Sequence, residues 1–252
     1  MNNRKSINIL GVRVDDIPIS DLLVAIKDAI TSDRKEIHAN VNIRAMNLAF
    51  EQSWFRDFLN HCEIVFCDGY GVKLAALMMG YDLRHRNTPP DFIRQICELA
   101  VENRLNLFFL GAKPGVADKA AARLRDEFSG IQIRTHHGHL NFCTESEFIV
   151  NQINNFQTKI LVLGMGMPLQ ERWIIENYDK LNVNIVLPAG AIFDYVSGEI
   201  FRIPRWMTDH GFEWLGRLII EPRRLWKRYI IGNPLFFWRV IVYDVIGIPR
   251  PE

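Results

Sequence analysis

Short runs of β-branched and aromatic residues alternate with longer stretches of helical period from about residue 7 onward. This alternation is typical of βαβ units and predicts an α/β fold: a Rossmann-like, mainly parallel sheet with helices on both faces. The runs predicted as strands are residues 7–14, 36–42, 63–67, 105–111, 131–136, 159–164 and 184–190. Helices are predicted to begin near Ser20, Asp91 and Pro114. A chain of 252 residues, 48% of them hydrophobic, can bury such a core.

The formal net charge of +1 hides a difference between the two parts of the chain. Residues 1–200 carry 21 Lys/Arg and 24 Asp/Glu, whereas residues 201–252 carry 9 and 5. The first part is therefore −3 and the second +4. We predict an α/β domain over residues 1–200 and a basic, aromatic-rich appendage over residues 201–252, which we call the tail. The nearly neutral average does not indicate a nucleic-acid partner.

Three features of the sequence indicate the cytoplasm. The four cysteines show neither a CxxC pair nor metal-ligand spacing, which favours free thiols in a reducing compartment. The N-terminal residues lack the pattern of a signal peptide. The most apolar stretch, residues 229–248, is interrupted by four polar or helix-breaking residues, so no transmembrane helix is predicted.

Four predicted strand ends combine glycine with polar residues, in residues 67–71, 110–115, 163–171 and 188–194. Ligands of open α/β sheets bind at such carboxyl ends. Asp68 follows a strand directly and precedes Gly69 and Gly71, so it is a candidate general base. The alternative is an N-cap of the following helix.

At the other strand ends, the residues can be interpreted either as ligand-binding or as structural. The turn at Gly111 would present helix amides to a diphosphate, or it is an ordinary βα turn. Gly164 begins a GxG string, but Pro168 breaks the dinucleotide fingerprint, which weakens a dehydrogenase hypothesis. Gln170 and Glu171 either hydrogen-bond a sugar or nucleotide, or cap their helix.

No metal or cofactor is predicted. His136, His137 and His139 lack helix-type ligand spacing and acidic or cysteine neighbours, so we expect a loop in which one histidine, His139, faces a ligand. An Asp-x-Asp pair that would hold a divalent ion against a nucleotide diphosphate is missing, which favours a metal-independent mechanism.

The tail contains a predicted amphipathic helix after Pro222. At about 100° per residue, its basic residues separate from Leu225, Trp226, Tyr229 and Ile230. A basic helix with aromatic residues at its boundary is typical of an element that lies on an anionic membrane surface. The alternative is a C-terminal helix packed on the sheet with a solvated basic face. The residues predicted to contact the membrane or a lipid diphosphate are Arg217, Arg223, Arg224, Lys227 and Arg228.

Several strings together resemble the WecG/TagA/CpsF glycosyltransferase family. They are CDGYGV, LGAKPGVADKAA, LGMGMPLQERWI, GAIFDYVSGEIFRIPRWM and GFEWLGRLIIEPRRLWKRY, in order between about residues 8 and 230. The resemblance implies an enzyme that moves a sugar, with inversion, from a UDP-sugar to an undecaprenyl-diphosphate-linked sugar at the inner face of the cell membrane. Asp68 would be the general base.

The resemblance also implies further substrate contacts, and two departures from the family pattern qualify them. Asn40 and Gln170 match family positions near the substrate, and Asp194 matches a strand-end motif. His38 stands where threonine is frequent. Many family members carry an R-x-x-G-x-D string. This chain has Arg86-Asn-Thr-Pro89-Pro-Asp91 there, with Pro89 in place of the glycine. The transferred sugar can therefore differ from the N-acetylmannosamine usual in the family, and other hexoses or uronates are candidates.

The leading hypothesis is therefore a UDP-sugar transferase of surface-polysaccharide synthesis, peripheral on the cytoplasmic membrane face. A non-catalytic α/β scaffold that docks on membranes through the tail is the alternative. The sequence leaves the oligomeric state open, including a homo-oligomer.

Overall fold

The computed structural model of the chain describes residues 4–201, 207–208 and 211–250, without the side chains of Glu213 and Arg224. The strands are β1 Ser6–Ile9, β2 Val12–Asp15, β3 Glu36–Val41, β4 Ile64–Cys67, β5 Asn106–Gly111, β6 Gln132–His136, β7 Ile160–Gly164 and β8 Ile185–Pro188. They form one sheet in the order β1-β2-β4-β3-β8-β7-β5-β6. Only the β1–β2 pair is antiparallel, so the predicted mainly parallel α/β fold is confirmed.

One strand prediction was wrong. Residues 7–14 form a hairpin, because Leu10 and Gly11 have φ values of 48° and 78° and turn the chain between β1 and β2. Two successive residues with positive φ match the twist of a tight hairpin. The apolar residues on both sides of this turn hid it in the sequence.

Helices cover both faces of the sheet, as predicted. They are α1 Ile19–Thr31, α2 Ile43–Glu51, α3 Ser53–His61, α4 Tyr70–Met78, α5 Pro89–Glu102, α6 Val116–Glu127, α7 Phe142–Asn155, α8 Leu169–Asn177 and α9 Ile192–Ser197. A 3-10 turn, Tyr178–Lys180, follows α8. The predicted starts at Asp91 and Pro114 are two residues off, since α5 begins at Pro89 and α6 at Val116. Proline suits the first helical turn because its missing N–H needs no partner there.

Apolar side chains pack in two layers, one on each face of the sheet. Helices α2, α3, α7 and α8 cover one layer, in which Phe55 and Trp173 are fully buried. Helices α1, α5, α6 and α9 cover the other, in which Phe109 and Phe193 stack with their ring centroids 4.9 Å apart. Burial on both faces explains why the central strands are continuously apolar.

The tail is a chain of short helical segments. They are α10 Glu213–Ile220, α11 Pro222–Trp226, a π-helix Lys227–Ile231, α12 Gly232–Arg239 and a second π-helix Val240–Val245. Phe236 and Val240 are fully buried in the first core layer. Arg239 donates hydrogen bonds to Asn47 and Glu51 of α2, each at 2.9 Å. The second half of the tail is thus attached to the α/β body.

The predicted separation of two faces around the tail helix differs from the structure. Leu225 and Tyr229 are buried, whereas Trp226 and Ile230 of the same predicted apolar face are 44% and 58% exposed. The body covers part of that face, and the π-helix departs from the 100° step that the prediction used. Within the described residues, no helix is long and apolar enough to span a bilayer.

Candidate functional site

A cleft of ≈ 480 Å³ lies at the carboxyl ends of the central strands β4, β3, β8 and β7. Its walls are the segments that follow these strands, the start of α5 and part of the tail. Of the residues that the structure describes, five cationic ones line it: Arg44, Arg86, Arg217, Lys227 and Arg228. We call it the basic cleft. Its place agrees with the rule that open α/β sheets bind ligands at strand ends.

A second cavity of ≈ 260 Å³ adjoins the basic cleft between α4 and the tail. Tyr70, Leu74, Trp214, Tyr229 and Phe237 line it, and we call it the aromatic groove. The residues that line both cavities are Asn42, Arg44, Asp68, Thr208, Arg217 and Arg228. The Asp68 carboxylate therefore lies where the two cavities meet.

Local hydrogen bonds hold Asp68 at this junction. Its backbone N–H donates to the Val41 carbonyl at 2.9 Å, which joins the ends of β3 and β4. Asn42 Oδ1 caps α2 by accepting from the N–H groups of Arg44 and Ala45, so its Nδ2 points to Asp68 Oδ2 at 3.3 Å. Helix α4 takes Gly69 as its N-cap, so Asp68 precedes the cap and is not itself the N-cap.

Positive charge is concentrated around this carboxylate. Burial lowers the pKa of Arg228, and the nearby charges of Arg217 and Arg44 lower it further, against the opposing effect of Tyr229 and Asp68. Crowded, partly desolvated cations favour the binding of an anion. By contrast, burial raises the pKa of the neighbouring Cys67 to about 12, so that thiol is neutral and unsuited to act as a nucleophile.

Asn40 and Arg86, both predicted site residues, line the basic cleft. Asn40 Nδ2 donates to the Pro188 carbonyl at 2.6 Å, which leaves its Oδ1 as the atom that it can offer to a ligand. The segment after Arg86 is fixed by Asn87, whose N–H donates to the Cys67 carbonyl at 2.8 Å. Pro89, in place of the family glycine, begins α5 at the cleft wall.

Gln170 lies behind the cleft wall. It is fully buried, and its Oε1 accepts from the N–H groups of Gly166 and Gly190 at 3.1 and 3.2 Å. Both glycines line the basic cleft. In this structure Gln170 therefore supports the wall, and its predicted contact with a sugar stays a prediction.

Four other predicted residues do not line either cavity. Gly111 and Gly164 pack against each other, since a Cβ on Gly111 would lie 2.4 Å from the Gly164 carbonyl carbon. His139 is exposed beyond the end of β6, and Asp194 is in the first turn of α9, next to the cleft residue Tyr195. His38, at the departure from the family pattern, is fully buried, and its Nε2 lies 2.9 Å from Glu36 Oε2.

The tail residues predicted to contact lipid or diphosphate divide into two groups. Arg217, Lys227 and Arg228 line the basic cleft, whereas Arg223 is exposed outside it. The Arg224 side chain lies outside the described part of the chain.

Sequence reasoning missed Arg44, Tyr195 and Thr208 in the cleft lining. Arg44 could have been predicted from the sequence, because it lies in the first turn of the helix after β3, at the same sheet edge as Asp68. Across the residues that the structure describes, there is no group of three or more His, Cys, Asp or Glu side chains that could hold a metal ion.

A parallel sheet with a cation-lined cleft at its strand ends, in which the carboxylates of Asp68 and Asp91 also lie, is suited to an enzyme acting on an anionic substrate. The model of the Glycosyl transferase WecG/TagA/CpsF family matches residues 7–247, so the chain belongs to this family and is a glycosyltransferase. The resemblance predicted from the sequence motifs is confirmed.

Named relatives cover almost the whole chain. It is 25% identical over 241 residues to the N-acetylglucosaminyldiphosphoundecaprenol N-acetyl-beta-D-mannosaminyltransferase of Staphylococcus aureus (strain NCTC 8325 / PS 47), which is 95% of this chain and 93% of the relative. The protein of the same description from strain MW2 is 24% identical over the same length.

Proposed function

We propose that this glycosyltransferase moves a sugar from a UDP-sugar to a hydroxyl of an undecaprenyl-diphosphate-linked sugar, with inversion and without a metal. The observation that carries the proposal is the position of Asp68, at the junction of a cation-lined cleft and an aromatic groove. The donor sugar is N-acetylmannosamine or a related hexose or uronate.

The basic cleft suits the donor. Arg44, Arg217 and Arg228 present charge to a diphosphate, and guanidinium groups bind phosphate oxygens in pairs of hydrogen bonds. The cleft volume of ≈ 480 Å³ falls within the range of small-molecule sites. These cations would stabilise the negative charge that develops on the leaving UDP, which is the role otherwise given to a metal.

The aromatic groove suits the acceptor. Its Tyr70 and Trp214 offer flat faces to a sugar or a lipid chain, and Asp68 lines both this groove and the basic cleft. The staphylococcal relatives are named for an acceptor in which N-acetylglucosamine is linked by diphosphate to undecaprenol. An acceptor of this type would place its sugar hydroxyl at Asp68.

The reaction is a single displacement. The Asp68 carboxylate takes the proton of the acceptor hydroxyl while that oxygen forms a bond to the anomeric carbon. The bond from the anomeric carbon to the diphosphate oxygen breaks at the same time, and UDP leaves with the electron pair. Attack opposite the leaving group inverts the anomeric configuration.

Exposed apolar residues flank the groove and support binding at the membrane surface. Leu74 and Leu77 of α4 are 40% and 62% exposed, and Ile219 and Ile230 of the tail are 71% and 58% exposed. Arg223, also in the tail, adds an exposed positive charge. Apolar side chains beside basic ones are typical of proteins that lie on anionic bilayers.

Replacing Ile219 with aspartate is expected to weaken binding to anionic liposomes by about tenfold or more, because one buried aliphatic side chain contributes about 1.5–3 kcal/mol. Co-sedimentation with vesicles of phosphatidylglycerol measures this. Phe148→Asp is the matched control, since Phe148 is 60% exposed on α7, away from the groove. Equal liposome binding by Ile219→Asp and the wild type would show that α10 does not contact the membrane.

UDP is expected to raise the melting temperature of the protein, with or without EDTA, and NAD is expected to leave it unchanged. Ligands that bind only the folded state stabilise it in proportion to the logarithm of their concentration over Kd. Differential scanning fluorimetry with UDP, other nucleoside diphosphates and NAD measures this. Loss of the UDP effect in EDTA would contradict metal independence, and no effect of any nucleotide would contradict a nucleotide-sugar donor.

A further inference from the structure

A buried carboxyl group lies directly behind the basic cleft and is not used in the proposed reaction. Glu171, in the first turn of α8, is 2% exposed. Its Oε1 accepts a hydrogen bond from Gln170 Nε2 at 2.8 Å. Its Oε2 is buried and has no hydrogen-bond partner among the described residues.

This carboxyl group determines how the Gln170 amide is oriented. Gln170 Oε1 accepts from the N–H groups of Gly166 and Gly190, so Nε2 is the only end of the amide left to donate. Glu171 Oε1 is the acceptor that receives it. The two glycines belong to the loops after β7 and β8, and both line the basic cleft. One chain of hydrogen bonds thus runs from Glu171 to the cleft wall.

We propose that Glu171 is a positioning residue that acts as a neutral carboxylic acid and, through the Gln170 amide, holds the Gly166 and Gly190 loops of the cleft together. Among the described residues no cation hydrogen-bonds to the buried oxygen, and a neutral group suits such a site because an isolated buried charge is far more costly than an unmatched neutral atom. Breaking the chain would release two adjacent glycine loops that border the basic cleft.

The surroundings of Glu171 agree with a neutral acid. Burial raises its pKa to about 7, against the lowering effect of the hydrogen bond from Gln170. Helices α3 and α7 and the 3-10 turn pack on α8. Their ionisable residues are Arg56, Asp57, His61, Cys143, Glu145, Glu147, Tyr178, Asp179 and Lys180. None of these residues contributes to the raised pKa of Glu171. The Cys62 thiol, just after α3, is also a neighbour, and Glu171 helps to raise the pKa of that thiol.

The proposal predicts that the two glycine amides respond when Glu171 ionises. Well below its pKa of about 7 the acid is neutral, and well above that pKa the buried carboxyl group becomes charged, which changes the bond to Gln170 and the bonds beyond it. The amide resonances of Gly166 and Gly190 are therefore expected to shift with a common midpoint near that pKa.

The sequence allows both amides to be observed singly by NMR. Glycine follows methionine only at Gly80 and Gly166, and follows alanine only at Gly190. Carbonyl-labelled methionine or alanine combined with nitrogen-labelled glycine therefore selects these amides in the full-length protein. Gly80, exposed at the end of α4, is an internal reference.

Glu171→Gln keeps the shape and neutrality of the acid and is expected to remove both shifts. Glu176→Gln, the same change at an exposed position of α8, is the matched control and should keep them. Glycine amides that do not move from about pH 5.5 to about pH 8.5, or that move equally in Glu171→Gln, would overturn the proposal.

A second experiment measures the rate of sugar transfer by Glu171 variants, and it rests on the proposed function. Below pH 7, Glu171→Gln is expected to stay within about twofold of wild-type kcat/KM, whereas Glu171→Leu, which cannot accept the Gln170 bond, loses about 10- to 100-fold. The ratio of Glu171→Gln to wild-type activity should rise through the pKa of about 7. A flat ratio contradicts the inference even if Glu171→Leu does not fold. Absent transfer in the wild type, with titrating amides, would contradict only the proposed function.

Discussion

Asp68→Asn is expected to lower kcat by roughly 10²–10⁴-fold while the Kd of UDP changes by less than about threefold, because a general base contributes that factor and does not bind the donor. Asparagine has the size of aspartate but cannot take the acceptor proton. The measurement is transfer from a panel of UDP-sugars to a soluble lipid-diphosphate-sugar analogue, with UDP binding followed by calorimetry.

The control for this change is Asp126→Asn, which alters an exposed aspartate of α6 away from both cavities. It should retain wild-type turnover. The panel also identifies the donor, since the sugar that supports turnover in the wild type is the one to use with the variant. Near-normal turnover by folded Asp68→Asn would show that another group removes the proton.

Arg228→Ala should weaken UDP binding by about 10- to 100-fold, since a hydrogen bond to a charged group contributes about 1.5–3 kcal/mol. Arg228 lines both cavities and lies close enough to Arg217 and Arg44 for their charges to lower its pKa. Its loss removes a positive charge from the cleft. Calorimetry with UDP at two ionic strengths measures the change.

Arg104→Ala, which removes an exposed arginine after α5 and far from the cleft, is the matched control and should leave the UDP affinity unchanged. Arg228→Lys separates charge from geometry, because lysine keeps the charge but not the planar pair of donors. Unchanged UDP affinity in Arg228→Ala would mean that the tail cations serve only the acceptor or the membrane.

The two largest predicted effects are those of changing Asp68 and Arg228. The sequence predicted the position of Asp68 correctly but did not predict that Arg228 lies in the cleft. Asp68 was predicted from a local pattern, because a carboxylate directly after a buried strand and before two glycines can lie only at the carboxyl edge of the sheet. Arg228 was predicted as a membrane or lipid-diphosphate contact, and the structure places it beside Asp68. Its location depends on how the tail packs on the body, which no local pattern encodes.

Gln170 shows the same limit at shorter range. Its string was enough to resemble the family, and its place after β7 indicated the correct edge of the sheet. Whether its side chain faces the cleft or the core depends on the Gly190 loop, which comes 20 residues later and offers the second N–H to its Oε1. The buried partner Glu171 was predicted only as a residue that caps the helix or binds a ligand.

The sequence alone determined the α/β class, the mainly parallel sheet, the edge at which Asp68 lies and the glycosyltransferase family. The fold class and the position of Asp68 follow from periodicity and strand-end chemistry, which are local properties of the chain. The family follows from the resemblance of whole sequence strings to its motifs. Only the tertiary structure decided that Arg217, Lys227 and Arg228 enter the cleft, that Arg44 joins them, and that Glu171 supports its wall. The positions of the tail cations depend on long-range packing of Phe236 and Val240 and on π-helical turns, which break the period from which sequence predictions are made.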